Sequence, residues 1–322
     1  MRCLVFYLGV LAAAAALTHP ARSQAWERVS CPISDDLHNG CFVDTLHGWI
    51  VSYGTGVVLS SNDGGHVWSV CSRLDSIFYE CMYFSNPDTG WICGEHGRLL
   101  HTVDGGRTWS NRDVGSASLA FYGVHFPSVM RGLLVGMDTE TRTGVLYESS
   151  DGGRTWRANA AGSQGRNTGY EAIQFFDQRR GMVGGGRVVL QTEDAGRTWG
   201  ATDLGKGVVI RSLHFADATN GWAVGHNGAV FRTTDGGRRW SRRTPFTPNR
   251  LRSVHFVSVN HGFVAGDANV NEGSLWETRD GGESWGVVPG DHGDMHRIFR
   301  SSRALWAVGK SGTILRMNTD GL

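Results

Sequence analysis

Aspartate recurs through this chain in the company that a catalytic or cation-binding carboxylate would need. Asp63, Asp104, Asp151, Asp194, Asp235 and Asp280 each follow a Ser or Thr by two residues, precede Gly-Gly or Ala-Gly, and stand five residues before a tryptophan: Trp68, Trp109, Trp156, Trp199, Trp240 and Trp285. Such carboxylates can serve as general acids or bases, or gather around calcium. Their spacing argues against both. The aspartates lie 41, 47, 43, 41 and 45 residues apart, one to each repeat, whereas calcium needs several oxygens converging on one point. The pattern fits a turn instead. Gly-Gly supplies backbone conformations that a β-carbon forbids, and the carboxylate and the earlier hydroxyl can hold turn amides. The tryptophan would then open a strand and pack its face against a neighbouring unit.

Two further sets of residues have suitable chemistry. A glycosidase needs two carboxyls at a defined separation across a cleft, and Asp138, Glu140, Asp267, Glu272, Asp291 and Asp294 fall outside the repeated motif. Nothing in their spacing selects a pair. Five cysteines follow the N-terminal leader: Cys31, Cys41, Cys71, Cys81 and Cys93. In an oxidising compartment an odd number implies one or two disulfides and a leftover thiol. Cys31–Cys41, close together on one connector, and Cys81–Cys93, flanking an expected hairpin, are the candidate pairs; spacing alone does not fix connectivity. No two cysteines have the two-residue separation of a zinc site and no histidine falls at matching intervals, so neither metal nor cofactor is expected.

The elements that carry these residues are strands. A second pattern alternates with the Asp motif, as in Gly48-Trp49-Ile50-Val51-Ser52, Gly90-Trp91-Ile92-Cys93-Gly94 and Gly221-Trp222-Ala223-Val224-Gly225, and it occurs seven times. Each copy follows an alternating run such as Arg211-Ser212-Leu213-His214-Phe215 and precedes another such as Gly228-Ala229-Val230-Phe231-Arg232. One repeat therefore reads as four short strands: an inner pair around the Gly-Trp turn and an outer pair joined by the Asp motif. Units of this size and make-up are propeller blades. Arg316 to Gly321 looks like a seventh Asp motif cut before its Trp, and Trp26-Glu27-Arg28-Val29-Ser30 supplies the missing outer strand. The expected fold is all-β: a seven-bladed β-propeller over residues 26–322, its last blade closed by the N-terminal strand that begins at Trp26.

The leader itself is read from Arg2, the apolar run Leu4 to Leu17 and the small-residue exit Ser23-Gln24-Ala25. That order marks residues 1–25 as a secretory signal peptide, and the run is short for a membrane span. The mature chain is thus expected to be exported, periplasmic or extracellular, monomeric and without a transmembrane segment. A net charge of +1 gives no basic excess that would suggest nucleic acid.

In a propeller, connectors converge on the mouth of the central channel. Aligning the inner strands on the Phe seven residues before each Gly-Trp aromatic places His38, Glu80, Tyr122, Glu171, Arg211 and Arg252 in one ring, with Met295 in the last position beside His296 and Arg297. Both signs of charge and a tyrosine make a recognition surface. The connectors Met137 to Gly144, Ala160 to Tyr170 and Asp267 to Gly273 are longer than their counterparts, which is where partner specificity tends to lie.

The Asp motifs resemble the Asp-box, or bacterial-neuraminidase, repeat of sialidases, sortilin-type receptors, some endoglucanases and a photosystem II assembly factor. Gly-Trp-Ala-Val-Gly combined with Thr-x-Asp-Gly-Gly-x-x-Trp is most similar to the last of these, over essentially the whole mature chain. That resemblance implies a non-enzymatic scaffold that binds a protein partner, such as a membrane-protein subunit or its acidic segment, in the thylakoid lumen if the source is phototrophic. Arg211, Arg252 and Arg297 are the positions that would correspond to that family's arginine group. The alternative is a sialidase-like or other glycoside hydrolase acting on extracellular glycans. It would need an early Arg-Ile-Pro or Arg-Leu-Pro; this chain has only Arg243-Thr244-Pro245, late and in a connector.

Overall fold

The computed structural model describes residues 25–162, 169–269 and 273–319. Residues 1–24 of the expected leader, residues 163–168 of the connector Ala160 to Tyr170, Glu272, and Asp320 and Gly321 of the seventh Asp motif lie outside them. The described residues form seven four-stranded antiparallel sheets, each in the order innermost to outermost. In blade 1 these strands are Leu37–Phe42, Gly48–Ser52, Val57–Ser61 and Ser69–Arg73. The last blade takes three strands from the C-terminal end, Met295–Arg300, Ala304–Gly309 and Ile314–Asn318, and its outermost, Glu27–Val29, from the N-terminal end. Glu27 pairs with Arg316 and Val29 with Ile314, and Trp26 meets the ring of Phe263 edge-on at 5.5 Å. The ring closes as the repeat count requires, and closure removes the open edges that a seven-sheet array would otherwise present.

The core follows from the blade geometry. Each Gly-Trp strand is covered by sheet on both faces, so it reads as a continuous apolar run rather than an alternating one; Gly48–Ser52, Gly90–Gly94 and Gly221–Gly225 are buried at every residue. Buried side chains gather in seven clusters, one at each junction between adjacent blades. The Trp of one blade lies flat on the inner-strand Phe of the next: Trp49 on Phe84 at 3.8 Å and Trp222 on Phe256 at 3.5 Å.

The Asp-boxes are built as their residues suggest. In the third box Ser149 Oγ donates to Asp151 Oδ1 (2.7 Å), and the amides of Arg154 and Thr155 donate to the same oxygen (3.0 Å each), while Thr155 Oγ1 donates to Oδ2 (2.6 Å). The box tryptophans sit at the junctions with the preceding blade, as expected, and also pack within their own blade. Trp68, Trp109, Trp156, Trp199, Trp240 and Trp285 each stand edge-on to the Phe of their own blade, at 5.8 to 6.4 Å. Contact with the preceding blade is shared: Trp68 meets Trp306 edge-on at 5.9 Å, Trp109 Nε1 donates to Ser72 Oγ at 3.1 Å, and the second box glycine adds a closer approach. At Gly65, with φ +84°, a β-carbon would sit 2.2 Å from Trp306 of the last blade, so the close approach requires glycine.

Candidate functional site

The boxes and the hairpin turns of the inner strands share one face, because the box amides of Gly64, Gly105 and Gly152 donate to carbonyls of those turns (2.9 Å each). The channel mouth lies on the other. There a β-bulge interrupts the innermost strand of blade after blade, skipping one residue of the ladder between Leu37 and Asn39, Tyr79 and Cys81, Phe121 and Gly123, Ile210 and Ser212, Leu251 and Ser253, and Met295 and Arg297. A bulge re-aims the unpaired side chain. The skipped residues are His38, Glu80, Tyr122, Arg211, Arg252 and His296, and together with Asn39, Glu171 and Arg297 they line one pocket. Glu171 enters from just before its strand, its amide donating to the Gly184 carbonyl at 2.8 Å.

The residues aligned from sequence are thus brought together, with one correction. His296, not Met295, holds the ring position of blade 7, and Met295 is fully buried. The cause is a shorter hairpin. Cys41, the residue before Phe42, faces Trp49, whereas in blade 7 Phe299 itself faces Trp306. Counting back from the aromatic therefore lands one residue early. The sequence reading also missed Asn39, Arg250 and Tyr53, which no repeated pattern marks.

The mouth is a network of opposed charges. His38 Nε2 lies 2.8 Å from Glu80 Oε2, and Arg211 Nη1 lies 2.5 Å from Glu171 Oε1. Asp267 takes both Arg250 Nε (2.9 Å) and Arg252 Nε. Arg297 has no carboxylate partner among the described residues. Four guanidiniums therefore face three carboxylates. The His38 ring stacks on Tyr53 at 4.6 Å, and His296 Nδ1 is bonded to the Leu37 carbonyl at 2.9 Å. Burial works against charge on Glu80, but the His38 hydrogen bond and the positive fields of Arg211 and Arg252 hold its carboxyl below the usual range. At Glu171 burial wins over Arg211 and raises the carboxyl to about 7. Burial, helped by Glu171 and Glu80, pushes the Tyr122 phenol up, and burial with His38 brings His296 down to about 4.

The enclosed space is only about 40 Å³, room for a few waters; pockets for small-molecule ligands run to hundreds of cubic ångströms. Three of the acids considered for glycosidase chemistry are otherwise engaged. Asp267 holds two arginines, Asp294 takes Lys310 Nζ (2.6 Å) and the Ala268 amide (2.7 Å), and Asp138 caps its own turn at Glu140 and Thr141. Two of the long connectors are extensions of strands: Gly132–Asp138 with Thr143–Ser149, and Gly262–Asn269 with Gly273–Thr278.

All five described cysteines are free thiols. The expected pair Cys31–Cys41 is not formed: Cys31 packs against the junction of blades 7 and 1, and Cys41 against that of blades 1 and 2. Cys81 and Cys93 do face each other as cross-strand partners in blade 2, as thiols rather than as the expected disulfide.

Comparison with known proteins agrees with this architecture. The solved structure of YCF48 from Cyanidioschyzon merolae superposes with a TM-score of 0.73 at 20% identity, covering 92% of this chain and 100% of that one. A structure of YCF48 bound to D1 peptide gives a TM-score of 0.68 at 22% identity, over 94% and 100%. The GH74 xyloglucanase of Xanthomonas campestris gives a TM-score of 0.68 at 14% identity, covering 92% of this chain and 54% of that one, which is a likeness of fold. Among curated proteins, the photosystem II assembly protein Ycf48 of Thermosynechococcus vestitus (strain NIES-2133 / IAM M-273 / BP-1) is 29% identical over 116 residues, 35% of this chain and 33% of that protein. The match spans about a third of that relative's length. The family described as "Photosynthesis system II assembly factor YCF48" matches residues 18–117, 113–209 and 201–289. With most of its length, residues 18–289, matched to that description, the chain belongs to the photosystem II assembly factor YCF48 family.

Proposed function

We propose that this protein is an exported, monomeric, non-enzymatic scaffold whose channel mouth binds an acidic segment of a protein partner. The observation that carries the reading is the mouth itself: three arginines, Arg211, Arg252 and Arg297, against two carboxylates, Glu80 and Glu171, around a space too small for a sugar ring. Arg211, Arg252 and Arg297 would take a carboxylate by charge-assisted hydrogen bonds, while Tyr53 and Tyr122 offer aromatic surface. In a phototrophic source the partner would be a photosystem II subunit, by analogy with the relative whose structure contains D1 peptide; elsewhere the same surface would serve a periplasmic interaction. Relatives named as lipoproteins are in keeping with export.

Titration of a fluorescently labelled D1 peptide into the full mature chain tests this. Arg211→Glu/Arg252→Glu should weaken binding at least about tenfold, the value of a charged hydrogen bond, with the fold retained by circular dichroism. Equal affinity in both proteins would overturn the reading. Hydrolysis of a fluorogenic glycoside that disappears in Asp267→Asn would instead establish an enzyme.

A further inference from the structure

The Asp-box face carries a second opening. Between blades 2 and 3 a groove of about 620 Å³ is lined by residues that include Tyr83, Trp91, His101, Arg112, Phe126 and Met130. Its rim holds three bare apolar side chains, Val103, Val129 and Met130, 68%, 84% and 54% exposed, together with the charged Asp151 and Arg154.

The matching groove between blades 3 and 4 is plugged. There Arg131 donates from Nη2 to Glu148 Oε2 (2.8 Å) and from Nε to the Ala195 carbonyl of the next box. Asn159 adds bonds to Glu148 Oε2 (3.2 Å) and the Gly196 carbonyl (2.8 Å). Blade 2 changes all three positions. Thr89 stands before Gly90 where Arg131 stands before Gly132. His101 faces Trp91 where Glu148 faces Leu133. Arg112 bonds the Leu99 carbonyl through its amide where Asn159 bonds that of Leu146. The crossing arginine is gone, and so is the acid.

What remains is Arg112, which forms no ion pair with a carboxylate among the described residues. Arg112 Nη2 donates to His101 Nδ1 at 2.8 Å, and burial together with Arg112 lowers the His101 pKa, so the ring accepts as a neutral imidazole. Arg112 Nε and Trp91 Nε1 are buried without a hydrogen-bond partner among the described residues. The equivalent indoles of Trp49 and Trp222 donate to Gly105 and Gly281 carbonyls of the next box, at 2.9 Å each. A guanidinium without a carboxylate, with Arg154 as a second cation and Asp151 as the one acid in a groove that also holds Trp91, Phe126 and Met130, favours an anion with apolar neighbours.

We infer that the groove between blades 2 and 3 is a second docking site, for a short extended protein segment that carries a carboxylate beside apolar side chains. The carboxylate takes Arg112, and the flanking side chains cover Val103, Val129 and Met130. This site lies on the opposite face from the mouth and does not rest on the reading given to it.

The test uses the mature chain labelled with 15N-tryptophan, the Trp91 indole resonance being assigned with Trp91→Phe. The probe is the peptide Ac-Gly-Leu-Asp-Leu-Asp-Gly-amide, with Asn in place of both Asp as its control. The acidic peptide should shift the Trp91 indole in a saturable way, and Arg112→Gln and Val129→Asp should each weaken it about tenfold. The mouth variant Arg211→Glu/Arg252→Glu should give the wild-type Trp91 response, which separates failure here from failure at the mouth. Equal binding of the Asn peptide, unchanged affinity in Arg112→Gln, or no Trp91 shift at millimolar peptide would each overturn the inference.

Discussion

The two faces of this propeller are built on opposite plans. On the Asp-box face the same residues recur and do the same thing: Asp63, Asp104, Asp151, Asp194, Asp235 and Asp280 all accept from a hydroxyl two residues earlier and an amide four residues later. On the mouth face one backbone device, the bulge, recurs while the residue it presents changes from His38 to Glu80 to Tyr122 to Arg211. Uniform side chains fix architecture, since each blade needs the same turn. Varied side chains on a uniform backbone make a patterned surface, which recognition requires. The groove between blades 2 and 3 belongs to the second kind although it lies on the first face, because there blade 2 departs from the residues that seal blade 3.

The largest expected effect lies where the box face seals the ring. Gly65→Val would place a branched side chain on Trp306 at a positive φ, and should cost about 3 kcal/mol or more through overpacking and backbone strain. Urea denaturation measures this; a loss under about 1 kcal/mol would break the claim that the box glycine closes the junction of blades 7 and 1.

A smaller loss is expected for Asp151→Ala, because the exposed Arg154 and Thr155 amides that lose their acceptor can bond water instead. Peptide affinity at the mouth should not change. A variant that stays folded yet loses the peptide would show the faces to be coupled. The same hydrogen bonds set an acid limit. At Asp104, Thr108 donates from both side chain and backbone and holds the carboxyl at about 2, below its ordinary 3.8. A depressed carboxyl contributes stability above the unfolded value and loses it as pH falls through the folded one, so this part of the fold should weaken between about pH 4 and pH 2.

The mouth should respond to pH in a different window and by the least amount. Above about pH 7 Glu171 is charged and occupies Arg211; below it Glu171 binds a proton and frees the guanidinium. Affinity for an acidic peptide should therefore rise several-fold as pH falls from 8 to 6, an interval in which His296, at about 4, stays neutral. Glu171→Gln should flatten that profile, as read by fluorescence anisotropy. A profile unchanged by the substitution would remove Glu171 from the account.

Much of this was legible without coordinates. An Asp-box closes within eight residues, so its hydrogen bonds are local and its spelling in sequence is complete. Blade number and closure at Trp26 followed by counting. The ring at the mouth was legible in most blades because a fixed hairpin length separates the bulge from the Gly-Trp turn. It failed in blade 7, where one residue fewer in that turn moved the ring position from Met295 to His296.

The linear chain by itself determined the repeat, the turn chemistry and the order of strands, since these depend on neighbours within one blade. Tertiary structure decided whatever two blades make between them. Cys31 and Cys41 are ten residues apart yet belong to different junctions, while Arg211 meets Glu171 from forty residues away. Whether a groove is plugged depends on an arginine from one hairpin reaching the box of the next blade. Such contacts are set by the packing of sheets around an axis, and no local pattern records them.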